Sequence, residues 1–196
     1  MYSIRSGLIL AFHGCDKVVR DDVLNHRKEL KVSNNHWDWL GRGIYFWENN
    51  PARALSFAQE QSKRKDSDII TPSVLGAVID LGYCLDLLDE DNITLVKDAY
   101  DSLSKLYSLS GKVLPINKNP SIPSSNDLLI RSLDCAVINH LTSIQDDIRK
   151  FVSIKGIFIE GDPIYKNAGF REKDHIQICI RDSNCIKGYF LPRTIV

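Results

Sequence analysis

Three positions in this 196-residue chain pair residue types with a spacing that could hold a polar, ring-bearing ligand: His13, Gly14 and Tyr45. His13 closes the apolar run Gly7-Leu8-Ile9-Leu10-Ala11-Phe12. A histidine at the end of a buried strand can face a cleft, where its ring nitrogens offer hydrogen bonds. Gly14 follows, and without a side chain its N–H and C=O stay open to a ligand. Tyr45 lies in Leu40-Gly41-Arg42-Gly43-Ile44-Tyr45-Phe46-Trp47, where two glycines make a tight turn that delivers a short strand. A tyrosine held beside such a turn is a flat wall for a ring. Late in the chain His175-Ile176-Gln177-Ile178-Cys179-Ile180 begins by alternating polar and apolar, so the polar residues His175 and Gln177 share one strand face. Each position taken singly also fits a structural role: a satisfied core histidine, a turn feeding a core strand, a strand residue serving its neighbours.

The elements that must position these residues follow from periodicity. Residues 7–12 predict a buried strand and 17–30 a charged helix with Val18, Val19, Val23, Leu24 and Leu30 inward. Residues 31–38 are loop-like and lead Trp37 and Trp39 either onto the core or into a pocket. Asn50 and Pro51 are a cap and first residue for a helix through Lys65, with Ala54, Leu55, Phe57 and Ala58 inward. Residues 74–81 predict a central strand and 85–87 a short follow-on. Leu95, Ala99, Leu103 and Leu106 predict a helix over 91–109. Leu128, Leu129, Leu133, Val137, Ile138 and Leu141 predict a second over 127–144, separated from the first by a Pro/Asn/Ser-rich loop at 112–126. These helices read as a packed pair inserted between strands. Strands are predicted again at 154–160, 175–180 and 186–191, with a charged loop at 162–174 between the first two. Strands at both ends and helices between them predict an α+β fold in which the last strands pair with the first.

Composition narrows the class. The length suits one domain with a sizeable core. Lys plus Arg and Asp plus Glu each number 25, so no global field recruits nucleic acid or membrane. Lys17, Arg20, Arg27 and Lys28 form either a local basic patch or a solvated helix face. Five cysteines with no Cys-x-x-Cys pair predict thiols in a reducing compartment and argue against a zinc site or disulfide frame. Met1 to Gly7 has no signal-peptide pattern, and no apolar run is long enough to span a bilayer. The expectation is a cytoplasmic protein with no membrane partner.

Phe12-His13-Gly14, the stretch from Leu40 to Phe46, and a late strand carrying a polar residue together resemble the ADP-ribosyltransferase superfamily. The branch resembled is that of diphtheria-type toxins and poly(ADP-ribose) polymerases, which carries a His-Tyr-Glu triad. The resemblance covers residues 8–82 and 154–192; the helical insert at about 91–148 lies outside it. It implies two small antiparallel sheets packed together with NAD gripped in the cleft between them. It implies that His13 bonds the adenosine ribose hydroxyls of NAD, that Gly14 holds the nicotinamide carboxamide and that Tyr45 stacks on the nicotinamide ring. Gly43 belongs to the same NAD-binding set, and Phe57 is the candidate for a second ring on the opposite face. The small hydroxyl residue that the polymerases place on the next helix is missing, with Arg53 or Ala54 in its place.

The family's glutamate position falls on Gln177, counting back from Ile186, with His175 as the alternative third member. A glutamine still bonds a ribose hydroxyl but stabilises a developing cation less than a carboxylate does. By the resemblance this favours single ADP-ribose transfer over chain growth. Tyr165, Phe170, Arg171 and Glu172, in the loop before Gln177, would read the acceptor. No metal is implied. The resemblance thus implies a mono-ADP-ribosyltransferase with NAD as co-substrate and a protein or nucleic-acid acceptor. Small transferases of this kind resemble toxin or phage-defence effectors with a neutralising partner protein. The other readings are an NAD glycohydrolase, a catalytically silent module that binds NAD or ADP-ribose, and an unrelated α+β domain.

Overall fold

The structure, a computed structural model, describes residues 7–119 and 128–193. It is α+β, with one large mixed sheet and, among the described residues, four α-helices. In chain order the sheet strands are β1 (Ile9–Asp16), β2 (Ile44–Glu48), β3 (Pro72–Ile79), β4 (Cys84–Asp86), β7 (Ser153–Phe158), β8 (His175–Ile180) and β9 (Ile186–Phe190). A small hairpin, β5 (Asn117–Lys118) with β6 (Ile130–Arg131), stands apart from it. Strand order across the sheet is β4-β7-β8-β2-β1-β3-β9. The late strands do pair with the early ones: β8 lies against β2 and β9 against β3, both antiparallel.

The two separate sheets implied by the resemblance are here joined into one by hydrogen bonds. The joint is slight. β1 and β3 share eight residue pairs, whereas β1 and β2 share only Ala11↔Glu48 and Phe12↔Trp47. β4 and β7 are the one parallel pair in this sheet. Parallel neighbours need a long crossover. It is supplied by α3 (Glu90–Leu109) and α4 (Ser132–Gln145), which pack together over Leu85, Ile154 and Phe158.

Several predicted bounds shift for local reasons. Helix α1 (Lys17–Leu24) stops six residues before the predicted end, because Asn25 leaves helical geometry and His26 takes a left-handed φ of 55°. Val18 and Val19 face solvent, and only Val23 and Leu30 of the expected inward set are buried, with Leu24 packed at the edge. Asp16 caps this helix through Val18 N, and its second oxygen accepts from Ile70 N and Thr71 N. Those amides, Thr71 foremost, hold its carboxyl below the usual carboxylate range.

Helix α2 (Pro51–Ser62) starts where predicted, with Asn50 Oδ1 accepting from Arg53 N. Leu106 faces solvent on α3. Helix α4 begins only at Ser132, because Ile130 and Arg131 are taken by the hairpin; Asn117 Oδ1 then accepts from Leu133 N and Asp134 N in place of a local cap. The part of the predicted 127–144 helix at Asp127, the 112–126 loop beyond Asn119, and the signal-peptide reading of the first six residues lie outside the described residues.

Three apolar clusters hold the layers. Phe46, Leu75, Ile79, Ile178 and Ile180 pack with Val23 and Leu30 on one face of the sheet. Leu40, Phe158 and Cys179 pack under α3 and α4 on the other, and Phe12, Trp47 and Val74 pack under Ala54 of α2. Full burial of Phe46 contributes about 1.5–3 kcal/mol. Among the described residues no helix is long and apolar enough to cross a membrane.

All five cysteines are buried thiols. Burial pushes Cys15 and Cys179 up to about 12 and Cys185 to about 11, and it raises Cys135 as well. An aromatic disulfide reagent at pH 8 is therefore expected to leave the native protein unlabelled over minutes and to titrate five thiols after denaturation. Rapid native labelling would show that these strands open more readily than the packing allows.

Candidate functional site

The site grows from the slight joint between β1 and β2. Asn49 N donates to Leu10 O at 2.9 Å. In an antiparallel ladder alternate residues point their main-chain groups the same way, so Phe12 and Gly14 also turn theirs towards β2. A continuous ladder would have Gly14 and Tyr45 exchange two main-chain bonds, but the register stops at Phe12↔Trp47. His13 Nδ1 instead donates to Tyr45 O at 2.7 Å. An imidazole has been set into the place of a main-chain bond, and the N–H and C=O of Gly14 face the gap so formed.

A carbonyl oxygen only accepts, so that bond puts the His13 proton on Nδ1 and leaves a lone pair on Nε2. Burial lowers the His13 pKa further than the Tyr45 carbonyl raises it, which favours the neutral ring. Nε2 makes no hydrogen bond to a described residue, and the ring packs on Phe46 at 5.6 Å. His13 is thus placed to accept a hydrogen bond from a ligand hydroxyl.

Gly14 owes its residue type to packing as well. A Cβ there would come within 2.1 Å of Ala54 O, in the backbone of α2. Gly43 is similar: a Cβ would meet Cys179 Sγ at 2.3 Å and Ile180 O at 2.6 Å on β8. Gly41 turns the chain with a φ of +73°. Tyr45 then locks the turn, its hydroxyl donating to Gly41 O at 2.6 Å and accepting from Leu40 N at 2.9 Å. Burial pushes the phenol far above its ordinary range, so it works as a fixed ring and not as an acid or base.

The register puts the side chains of Tyr45, Trp47, His175, Gln177 and Cys179 on one sheet face, and His13 with Phe46 on the other. His13 and Tyr45 therefore meet through a main-chain carbonyl, not ring to ring. Gln177 is half-buried between Trp47 on β2 and Gly156 on β7. The ring of Phe57, on α2, lies 4.9 Å from that of Trp47. In the loop before β8, Arg171 Nη1 donates to Gly161 O and Arg171 N to Asp174, so Arg171 braces the loop. Tyr165, Phe170 and Glu172 are exposed on it. Of the two loop tryptophans, Trp37 is exposed against His36, while Trp39 packs 4.6 Å from Phe158.

Around His175, the alternative third member, residues that sequence reasoning did not assign to the site complete this face. The His175 ring is enclosed by Trp39, Trp47 and Phe158 at 5.7–6.3 Å. Arg53 of α2 pairs with Glu160 at 3.1 Å and lies 5.9 Å from the Trp47 ring centre. Trp47 Nε1, Arg53 Nε and His175 Nε2 are buried without a hydrogen-bond partner, and Arg53 Nη1 has only a 3.7 Å ion pair with Glu60. Unpaired buried polar groups are costly, and such a concentration marks a site. No spacing in the chain signals it, because its members come from four elements. A cavity of about 520 Å³ lies further along this face under the helical pair, lined by Trp39, Leu40, Val96, Tyr100, Val137 and Phe158; none of the residues assigned to NAD or to the acceptor lines it. Comparison with family models, with curated proteins and with solved structures finds no match to this chain.

Proposed function

We propose that the chain is a NAD-dependent mono-ADP-ribosyltransferase with an ADP-ribosyltransferase-like fold, moving ADP-ribose from NAD to a macromolecular acceptor and releasing nicotinamide. The observation that carries this reading is the interrupted β1–β2 joint: a neutral His13 with a free Nε2 beside the main-chain donor and acceptor of Gly14. A carboxamide needs one donor and one acceptor side by side, and ribose hydroxyls need an acceptor. Gly14 and His13 offer both within two consecutive residues. The rigid Tyr45 ring and the Gln177 amide share the sheet face opposite the His13 ring. The chemistry asks for pinning and orientation more than for a strong acid or base, since the glycosidic bond to nicotinamide is already activated by its positive ring.

The deciding measurement is nicotinamide release from NAD by the purified protein, followed by incubation of labelled NAD with protein and cell lysate. Release with label on a macromolecule supports the transferase. Release into water alone makes the protein a glycohydrolase, and neither release nor NAD binding ends the reading. Gln177 favours one other outcome, a silent NAD-binding module, because an amide steadies a developing cation less than a carboxylate does. Gln177→Glu separates the two. It is expected to keep nicotinamide release or raise it by up to about tenfold. Loss of release in a folded Gln177→Glu protein would remove Gln177 from the triad position.

A further inference from the structure

The enclosed histidine on β8 has a tautomer that the structure dictates. His175 Nδ1 lies 2.6 Å from Lys173 O, a group that only accepts, so Nδ1 carries the proton and Nε2 a bare lone pair. The side chain is 1% exposed, and Nε2 has no partner. It stands two residues from Gln177 on the same strand face, its ring centre 6.3 Å from that of Trp47, whose Nε1–H also lacks a hydrogen-bond partner. A buried, unpaired imidazole lone pair is a destabilising arrangement unless something uses it.

We propose that His175 is the general base of the transfer step, taking the proton of an acceptor that has one to lose: a hydroxyl or an amine, not a carboxylate. This rests on the transferase reading above. The step balances without a further reactant. The bond between the anomeric carbon of NAD and the nicotinamide nitrogen breaks, and nicotinamide leaves with the electron pair. The acceptor's oxygen or nitrogen bonds to that carbon while its proton passes to His175 Nε2 and then to solvent. Gln177 has no basic site to take that proton, and His175, on the same face, has one. Because Nε2 is shielded, an acceptor reaches it only when the aromatic surround shifts.

The groups that set the protonation of His175 come from three directions: Arg53 on α2, Glu160 after β7, and Lys173 with Asp174 in its own loop. Burial, aided by Arg53, outweighs the Lys173 carbonyl, Glu160 and Asp174 and lowers its pKa below 6.5. A base must be neutral to work, so kcat holds above that pKa and falls as the pH drops through it.

The test compares nicotinamide release, its pH profile and NAD affinity in the full chain and in His175→Asn, whose amide nitrogen keeps the donor to Lys173 O. The expected result is a kcat about 100-fold or more lower in His175→Asn, with NAD affinity within about twofold and the acid limb of kcat gone. Labelled product is expected to resist neutral hydroxylamine, which cleaves esters of carboxylate acceptors. An unchanged kcat and pH profile in His175→Asn, or hydroxylamine-labile product, overturns the proposal and leaves the transferase standing. A wild-type kcat with no acid limb anywhere in the pH range over which the protein stays folded overturns it even if His175→Asn does not fold. No release by either protein removes the transferase reading and this inference together.

Discussion

A His13→Asn protein is expected to fold normally and to lose about 100-fold in kcat/KM for nicotinamide release, equivalent to about 2.7 kcal/mol. The asparagine amide keeps a donor for Tyr45 O, the 2.7 Å bond that braces the parted strands. What it removes is the second nitrogen, which has no role inside the protein. Folding and function are thereby separated in one variant. The wild-type pH dependence has a definite sign. NAD needs an acceptor at Nε2, and protonation turns that acceptor into a donor. Affinity should hold above 6.5, the ordinary histidine value, and weaken as the pH falls through the lowered folded value; His13→Asn should show no such dependence.

Stability shares the direction. The unfolded chain takes up these protons first, so stability is greatest above 6.5 and declines as the pH falls towards the folded values of His13 and His175. Calorimetric NAD titrations and thermal melts on both proteins check both parts. A folded His13→Asn protein with full turnover would remove His13 from the site.

Gly14→Ala is expected to be the most damaging single-methyl change in the sheet. The added carbon would sit 2.1 Å from Ala54 O, which belongs to the α2 backbone and cannot swing aside. Either α2 lifts from β1 or the strand bends. Overpacking of this kind costs about 3 kcal/mol. For a chain of this length that corresponds to a fall in Tm of about 6–12 °C. Lifting α2 also displaces Arg53 and Phe57 from Trp47, so nicotinamide release should fall with stability. Alanine tolerated within about 2 °C would mean that α2 does not lie where it is drawn. The contrast with His13→Asn is informative: one variant loses turnover at full stability, the other loses both.

Much of this was legible along the chain. Residues 7–12, 44–48, 74–79 and 175–180 announce strands because their apolar runs are bounded by glycines or charges. Asn50-Pro51 announces a helix because cap chemistry is local. His13, Gly14 and Tyr45 stand out because a glycine-bounded strand end limits what a side chain can face, whereas Gln177 was reached only through the family resemblance. Where reading failed, the competing contact was distant in sequence. The 127–144 helix was read too long because Asn117 across a hairpin, not a neighbour, fixes its start. The neighbour of Phe57 is likewise set at a distance, since the docking of α2 brings its ring to 4.9 Å from that of Trp47.

The sequence alone determined which residues are available at strand ends and turns, since backbone preference and hydrophobic period act over a few residues. The tertiary structure decided the rest: that β1 and β2 part after one short pairing, that the His13 ring fills the break, and that Trp47, Arg53, Glu160 and His175 enclose unpaired polar atoms beside Gln177. These are cross-strand and cross-layer contacts, set by register and by which groups burial leaves without a partner, and neither is written in the spacing of one chain.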